Sequence, residues 1–194
     1  MASTATVSEP ATTERALILR AQAGERGAAR VLVETHQRAV AGLLQRLLRG
    51  SGLDALTEDL AQETFLRGFA ALSRFDPDGP ARLSTWLLTI ATRLALQTIA
   101  RRRLGTEPLD ELAIASPGLP FDESPDRARI GACIERAVGA LAPTHRAVFL
   151  LREYHGLEYA EIAQALAIDL GTVKSRLSRA RAALKQALEE VRHG

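Results

Sequence analysis

Residues 158–184, EYAEIAQALAIDLGTVKSRLSRARAAL, read as two helices meeting at a short turn, with basic charge confined to the second. In the first, Ile162, Ala163 and Leu166 share an apolar face at helical spacing, and in the second Val173, Leu177, Ala180 and Leu184 do the same. Ala163 is small where the two helices would cross closely. Asp169 stands where an N-cap belongs, able to accept a backbone N–H from the first turn of the second helix. From Leu170 to Leu188 no acidic residue occurs, while Lys174, Arg176, Arg179, Arg181 and Lys185 are present. An apolar inner face with a purely basic outer face suits a helix that enters the DNA major groove. A helical hairpin whose basic face is merely solvated has the same pattern, so the charge alone leaves both readings open.

The rest of the chain favours helices too. Hydrophobic residues make up 46% and charged residues 25%, the balance of a soluble globular protein. Aromatics are only 4%, so packing must rest on Leu, Ala, Ile and Val, and β-strand alternation is nearly absent. The expected fold class is all-α. A net charge of +2 is too small to mark a protein that coats DNA nonspecifically, so the placement of charge is what matters. One cysteine, Cys133, excludes an internal disulfide, fits a reducing compartment and reads as a small core residue. His36, His145, His155 and His193 have no metal-ligand spacing, so neither metal nor cofactor is expected. The histidines, the cysteine and the carboxylates do not gather into an acid/base constellation, which argues against an enzyme. No N-terminal apolar segment resembles a signal peptide, and no apolar run is long enough to span a membrane. The expected location is the cytoplasm, with no membrane insertion.

Residues 1–13 are small, polar and aperiodic and are expected to be disordered. Residues 14–103 carry helical patterning near 14–23, 26–49, 55–73 and 84–103, with Ser84 as a plausible N-cap. The intervening turns are marked by Gly24, by Gly50–Ser51–Gly52 and by Asp76–Pro77–Asp78–Gly79–Pro80. Residues 104–126 hold four prolines and six acidic residues with no Lys or Arg, the composition of an extended, flexible linker. Residues 127–194 resume helical patterning: Ile130, Ile134, Ala137, Val138 and Leu141 share a face, and Pro143 opens a further helix reaching about Tyr154. The expectation is two small helical domains joined by a Pro-rich acidic linker, the second holding a helix-turn-helix. A tether of that kind leaves the separation of the two domains undefined.

Three segments together carry a family resemblance. GTVKSRLSRAR, residues 171–181, resembles the recognition helix of the extracytoplasmic-function sigma factors, the small promoter-specificity subunits of bacterial RNA polymerase. EDLAQETFLRGF, residues 58–69, resembles the segment of that family that docks on the clamp helices of the polymerase's largest subunit. The family's usual DAEDL is here Leu56–Thr57–Glu58–Asp59–Leu60. RFDPDGPARLSTWLLTIATRLALQTIARRR, residues 74–103, resembles its minus-ten segment, where a loop precedes a Trp-bearing helix closed by a basic cluster. The family often has Asn and Asp where this chain has Arg93 and Gln97.

The resemblance implies a division of labour. Asp59, Gln62 and Glu63 would bind core polymerase. Phe75, Arg82, Trp86, Arg93, Gln97 and Arg101 would meet the minus-ten element, where unstacked bases need pockets and the backbone needs cations. For Trp86, core packing is a simpler reading than base stacking, and both roles can coexist. Thr172, Lys174, Ser175, Ser178 and Arg179 would read the minus-35 element as duplex, with Thr172 and the helix N-terminus holding a phosphate. The implied partners are core RNA polymerase, through the clamp helices and the flap of the second-largest subunit, promoter DNA, and an anti-sigma factor. Two other classes compete: a free-standing helix-turn-helix regulator that binds DNA without polymerase, and an all-helical enzyme or scaffold.

Overall fold

The computed structural model describes residues 9–105 and 125–193, and the expectations placed on residues 1–8 and 106–124 lie outside the described residues. Every regular element described is helical. The first group comprises α1 (Glu9–Gln22), α2 (Arg26–Leu48), α3 (Thr57–Ala70) and α4 (Leu83–Arg103). The second comprises α5 (Pro125–Ala140), α6 (Pro143–Glu153), α7 (Tyr159–Leu166) and α8 (Leu170–His193).

Helix α2 is the axis of the first group. Leu32, Val40, Leu43, Leu44, Leu47 and Leu48 form one buried stripe along it, the pattern of a helix buried on one side. Gly50 and Gly52, each at φ +71°, turn the chain sharply after it, a conformation that glycine adopts without strain. Helix α3 crosses α4 closely because Gly68 leaves room. A Cβ built there would stand 2.8 Å from Leu87 Cδ2. Its buried residues are Thr64 and Gly68, while Ala61, Phe65 and Phe69 are half-buried on either side.

Helix α4 is buried nearly all round. Leu83, Leu87, Leu88, Ala91, Thr92, Leu94, Ala95, Thr98 and Ile99 are all inside. Arg93, Gln97, Ala100 and Arg101 form an outward stripe over its middle and end, and Arg103 is exposed at its last residue. The reason is that α4 meets α2 and α3 on one side and α6 and α7 on the other. Helix α6 shows the same condition, with six consecutive residues buried from Arg146 to Leu151.

Several expectations need correction. Helix α1 starts at Glu9, so residues 9–13 are helical, and α5 starts at Pro125 rather than Arg127. Pro125 falls in the first turn of α5, where proline's missing N–H costs nothing. The third helix is shorter than its pattern, because 3₁₀ turns at Asp54–Leu56 and Leu72–Arg74 flank it. The side-chain amide of Gln22 donates to Leu72 O (2.9 Å) and Phe75 O (2.7 Å) and holds that exit turn. Arg82, not Ser84, occupies the N-cap position of α4. In α7 the small buried residue is Ala165, with Ala163 only half-buried. The largest difference concerns the two groups' separation. They do not stand apart on a tether: one continuous apolar core runs from α1 to α8.

Gly68→Val places an isopropyl group where Leu87 already sits, so it is expected to destabilise the fold by about 1–3 kcal/mol through overpacking. Urea unfolding followed by circular dichroism checks this, and an unchanged midpoint would show that α3 and α4 do not approach as described.

Candidate nucleic-acid interface

The helix-turn-helix is built by local signals. Glu158 and Glu161 form a capping box at the start of α7, and Glu158 N donates to Glu161 Oε2 at 2.7 Å. Ala167, at φ +53°, turns the chain out of α7 in the left-handed conformation. Asp169 then caps α8, accepting from Thr172 N at 2.7 Å. Its carboxyl is held below its ordinary range first by the Thr172 hydroxyl and then by backbone N–H groups.

Val173, Leu177, Ala180 and Leu184 are buried beneath α8. Lys174, Ser175, Ser178 and Arg179 are exposed together on its outer side, at the positions the sequence pattern predicts. Thr172 is different. Its N–H and its hydroxyl both bond to Asp169, the hydroxyl at 2.6 Å, so neither is open to a phosphate, and the Asp169 carboxylate would repel one. Arg181 is also committed, donating to Glu153 of α6 at 2.6 Å. The positive field of the remaining residues reaches His145 on α6: burial first, then Arg179 and Arg176, hold its imidazole below the ordinary pKa of 6.5. His155 is lowered too, by burial and by Arg46.

The polar stripe on α3 is arranged as its spacing predicts. Asp59 and Gln62 are exposed and Glu63 half-exposed, with Arg67 Nε donating to Glu63 Oε1 at 2.6 Å. The sequence reading missed Leu66, which stands 67% exposed one turn after Gln62 and Glu63 and gives that polar face an apolar centre.

The loop before α4 is fixed from α1. Arg15 donates twice to Asp78, at 2.6 and 2.8 Å, and Asp78 N donates to Asp76 Oδ1 at 2.9 Å. Phe75 and Trp86 are half-buried and pack at 5.2 Å between ring centroids, so Trp86 is partly a core residue. Trp86 also lines a cavity of about 280 Å³ with Pro80, Thr85 and Arg93. The opposite wall of that cavity is Glu161, Gln164 and Ala165 of α7. Arg82, Gln97 and Arg101 are exposed. Arg93 is exposed over much of its surface, but Nε donates to Ala165 O at 2.7 Å and Nη2 to Gln164 O at 3.1 Å. Sequence spacing put Arg93 and Gln97 on one DNA-facing stripe, whereas the structure turns Arg93 onto the helix-turn-helix.

The same two groups of helices carry two family matches. The Sigma-70 region 2 model matches residues 32–104, and the Sigma-70, region 4 model matches residues 131–184. The ECF RNA polymerase sigma factor SigE of Mycolicibacterium smegmatis is 36% identical over 162 residues, which cover 81% of this chain and 60% of that protein. The chain belongs to the extracytoplasmic-function sigma factors. It directs promoter-specific transcription initiation. A second relative, the RNA polymerase sigma-H factor of Pseudomonas aeruginosa, is 32% identical over 188 residues, covering 91% of this sigma factor and 94% of that one. Among solved structures, the sigma factor RpoE from Bartonella quintana, in complex with the anti-sigma factor NepR, has the same fold. It superposes with a TM-score of 0.65 at 23% identity, covering 82% of this sigma factor and 96% of that chain.

Two outcomes follow from this geometry. Lys174→Ala or Arg179→Ala is expected to weaken specific promoter binding by about 1–3 kcal/mol where the side chain contacts a base bidentately. Binding measured across single-base variants of the site then shows relaxed preference at one position, whereas a uniform loss would reassign the residue to a phosphate. The second concerns pH. The unfolded chain takes up protons at His145 and His155 near pH 6.5, while in the fold both groups are held lower. Stability is therefore full above about pH 6.5 and declines as the pH falls below it, towards the folded values. Urea midpoints at about pH 7.5 and 5.5 check the direction, and replacing both histidines by Gln should flatten the difference.

Proposed function

We infer that this sigma factor acts by three surfaces. Asp59, Gln62 and Glu63 on α3, with Leu66 among them, form the face that docks on the clamp helices of core RNA polymerase. The outer side of α8, with Lys174, Ser175, Ser178 and Arg179, reads the minus-35 element in the major groove. The loop and outer stripe of α4, from Phe75 and Arg82 through Trp86, Arg93, Gln97 and Arg101, meet the exposed strand of the minus-ten element. Residues 14–103 would then be the docking and melting domain, residues 127–194 the minus-35 domain and residues 104–126 the linker between them. The observation that carries the reading is the exposed face of α8, free of acidic residues from Leu170 to Leu188 and seated on a buried apolar stripe, together with a separate polar face on α3.

The protein performs no covalent chemistry of its own in this reading. Its contribution is binding energy directed at two DNA elements and at polymerase. Its work place is the cytoplasm, where polymerase is, and no helix among the described residues is long and apolar enough to cross a membrane. The relative RpoE is solved in complex with an anti-sigma factor, which supports a partner of that kind for this chain. A contact with the flap of the second-largest polymerase subunit fits the apolar groove of Phe149, Leu184 and Leu188 on the second group.

The test is transcription in vitro with purified core polymerase on a promoter library. The expected result is initiation at a discrete set of promoters only when the protein is added. Replacing Asp59, Gln62 and Glu63 together by Ala should abolish co-purification with core polymerase while the helical signal is retained. A folded triple variant that still binds polymerase undiminished would remove the docking assignment.

A further inference from the structure

A second cavity, of about 420 Å³, opens on the seam between the two groups of helices. Its walls are the turn after α2 with Gly50 and Ser51, the end of α4 with Arg102 and Arg103, and the junction of α5 with α6, which brings Arg146. That volume lies in the range of small-molecule sites, about 300–1,000 Å³. Three guanidinium groups stand on its walls, and no Asp or Glu is among the lining residues. None of the three surfaces assigned above uses Arg102, Arg103 or Arg146.

The fold prepares this cavity for negative charge. Helices α2 and α5 both end beside it, and their last carbonyl oxygens would repel an anion. Arg146 takes them up. Its Nη1 donates to Leu47 O at 2.9 Å and to Arg49 O, and its Nη2 to Leu141 O at 3.0 Å and to Gly139 O. Helix α6 begins at the same place, with Ala142 at its N-cap and Pro143 on the cavity wall. No side chain caps it, and its first turn holds no acidic residue. The positive pole of a helix without a cap suits an anion. Arg102 and Arg103 are unspent: among the described residues neither has an ion-pair partner. Arg102 lies against Gly52, where a Cβ would stand 3.3 Å from Nη2, and Arg103 is exposed.

Arg146 is the group that most needs a counter-charge. It is only 4% exposed, and its Nε has no acceptor. Every acceptor it does have is a neutral backbone carbonyl. Burial, and then Arg103 and Arg49, push its pKa down, with Asp54 alone opposing them. A buried cation without a hydrogen-bonded carboxylate, beside two further cations, is costly unless an anion comes near.

We propose that this cavity binds a small oligophosphate, a diphosphate or triphosphate chain either free or carried on a nucleotide. Arg102 and Arg103 donate to its oxygens, while Arg146 and the N-terminus of α6 balance its charge. Arginine suits this ligand because its planar fork meets two phosphate oxygens at once. A single orthophosphate brings too little charge for three guanidinium groups. The occupant touches α4 of the first group and α5 and α6 of the second, so occupancy stabilises the packed fold by mass action.

The test is calorimetric titration of the full chain with sodium tripolyphosphate in metal-free buffer at physiological ionic strength. Adenosine triphosphate and citrate are titrated beside it, and thermal unfolding is followed with each. The expected result is saturable one-site binding of tripolyphosphate, on the order of tenfold tighter than citrate, with a raised unfolding midpoint. Tighter binding of the nucleotide than of tripolyphosphate would assign the remaining space to a nucleoside, and equal binding would make the phosphate chain the whole ligand; both support the site. Arg102→Gln with Arg103→Gln should weaken tripolyphosphate on the order of tenfold or more, because two charge-assisted donors are lost. Ala142→Asp separates binding from folding. Asp is a favoured N-cap, so the unfolding midpoint should hold or rise, while the added carboxylate on the wall should weaken tripolyphosphate as well. A parent protein without saturable binding, or one that binds citrate as tightly, would overturn the proposal. Folded variants that bind tripolyphosphate as well as the parent would overturn it too, by placing the anion on another basic surface such as α8.

Discussion

Helix α4 has to be covered on almost its whole circumference, and the arrangement of α2, α3, α6 and α7 answers that demand. Its apolar residues do not form the single stripe of a helix at a protein surface. They point to α2, to α3 and to the pair α6 and α7. Leaving either side open would return large apolar side chains to water at roughly 25 cal/mol for each Å² exposed. Gly68 lets α3 come close enough to seal one flank, and Ala165 does the same for α7 on the other. Along its outward stripe Gln97, Ala100 and Arg101 stay uncovered, while Arg93 is bound to α7.

Packing alone would leave polar groups stranded at the seam. Helices α2, α5 and α7 all end there, and each ends in carbonyl oxygens that need donors. Arginine solves the problem because its fork of N–H groups serves several carbonyls at once. Hydrogen bonds to a charged group contribute about 1.5–3 kcal/mol each, offset by the cost of removing the guanidinium from water. The balance at Arg146 is visible in its depressed pKa and its one unsatisfied nitrogen.

The three assigned surfaces differ in how the fold treats them. The basic side of α8 and the polar side of α3 lie on faces that no other described helix covers. On α4, Arg93 is bound to α7 and the cavity beside Trp86 is walled by it, while Gln97 and Arg101 stay exposed.

Local pattern in the sequence was sufficient for the all-α class, the helix-turn-helix, the Asp169 cap and the outward set Lys174, Ser175, Ser178 and Arg179, because each depends on neighbours within one or two turns. It was sufficient also for the stripe Asp59, Gln62 and Glu63. It misplaced Thr172, since the hydroxyl that the pattern offered to phosphate is consumed by Asp169 three residues away. It gave no sign of Arg146, an ordinary-looking cation in PTHRAVFLLRE whose acceptors lie up to 100 residues distant in sequence. Nor could it assign Arg93 to α7 rather than to DNA, since both uses need the same exposed side chain on the same helical stripe. A flexible acidic tether predicts halves with no fixed separation, and the structure instead joins them through one core. Helical periodicity reports which side of a helix must be buried, but not which distant helix will bury it; at α4 and α6 only the assembled tertiary structure decides that.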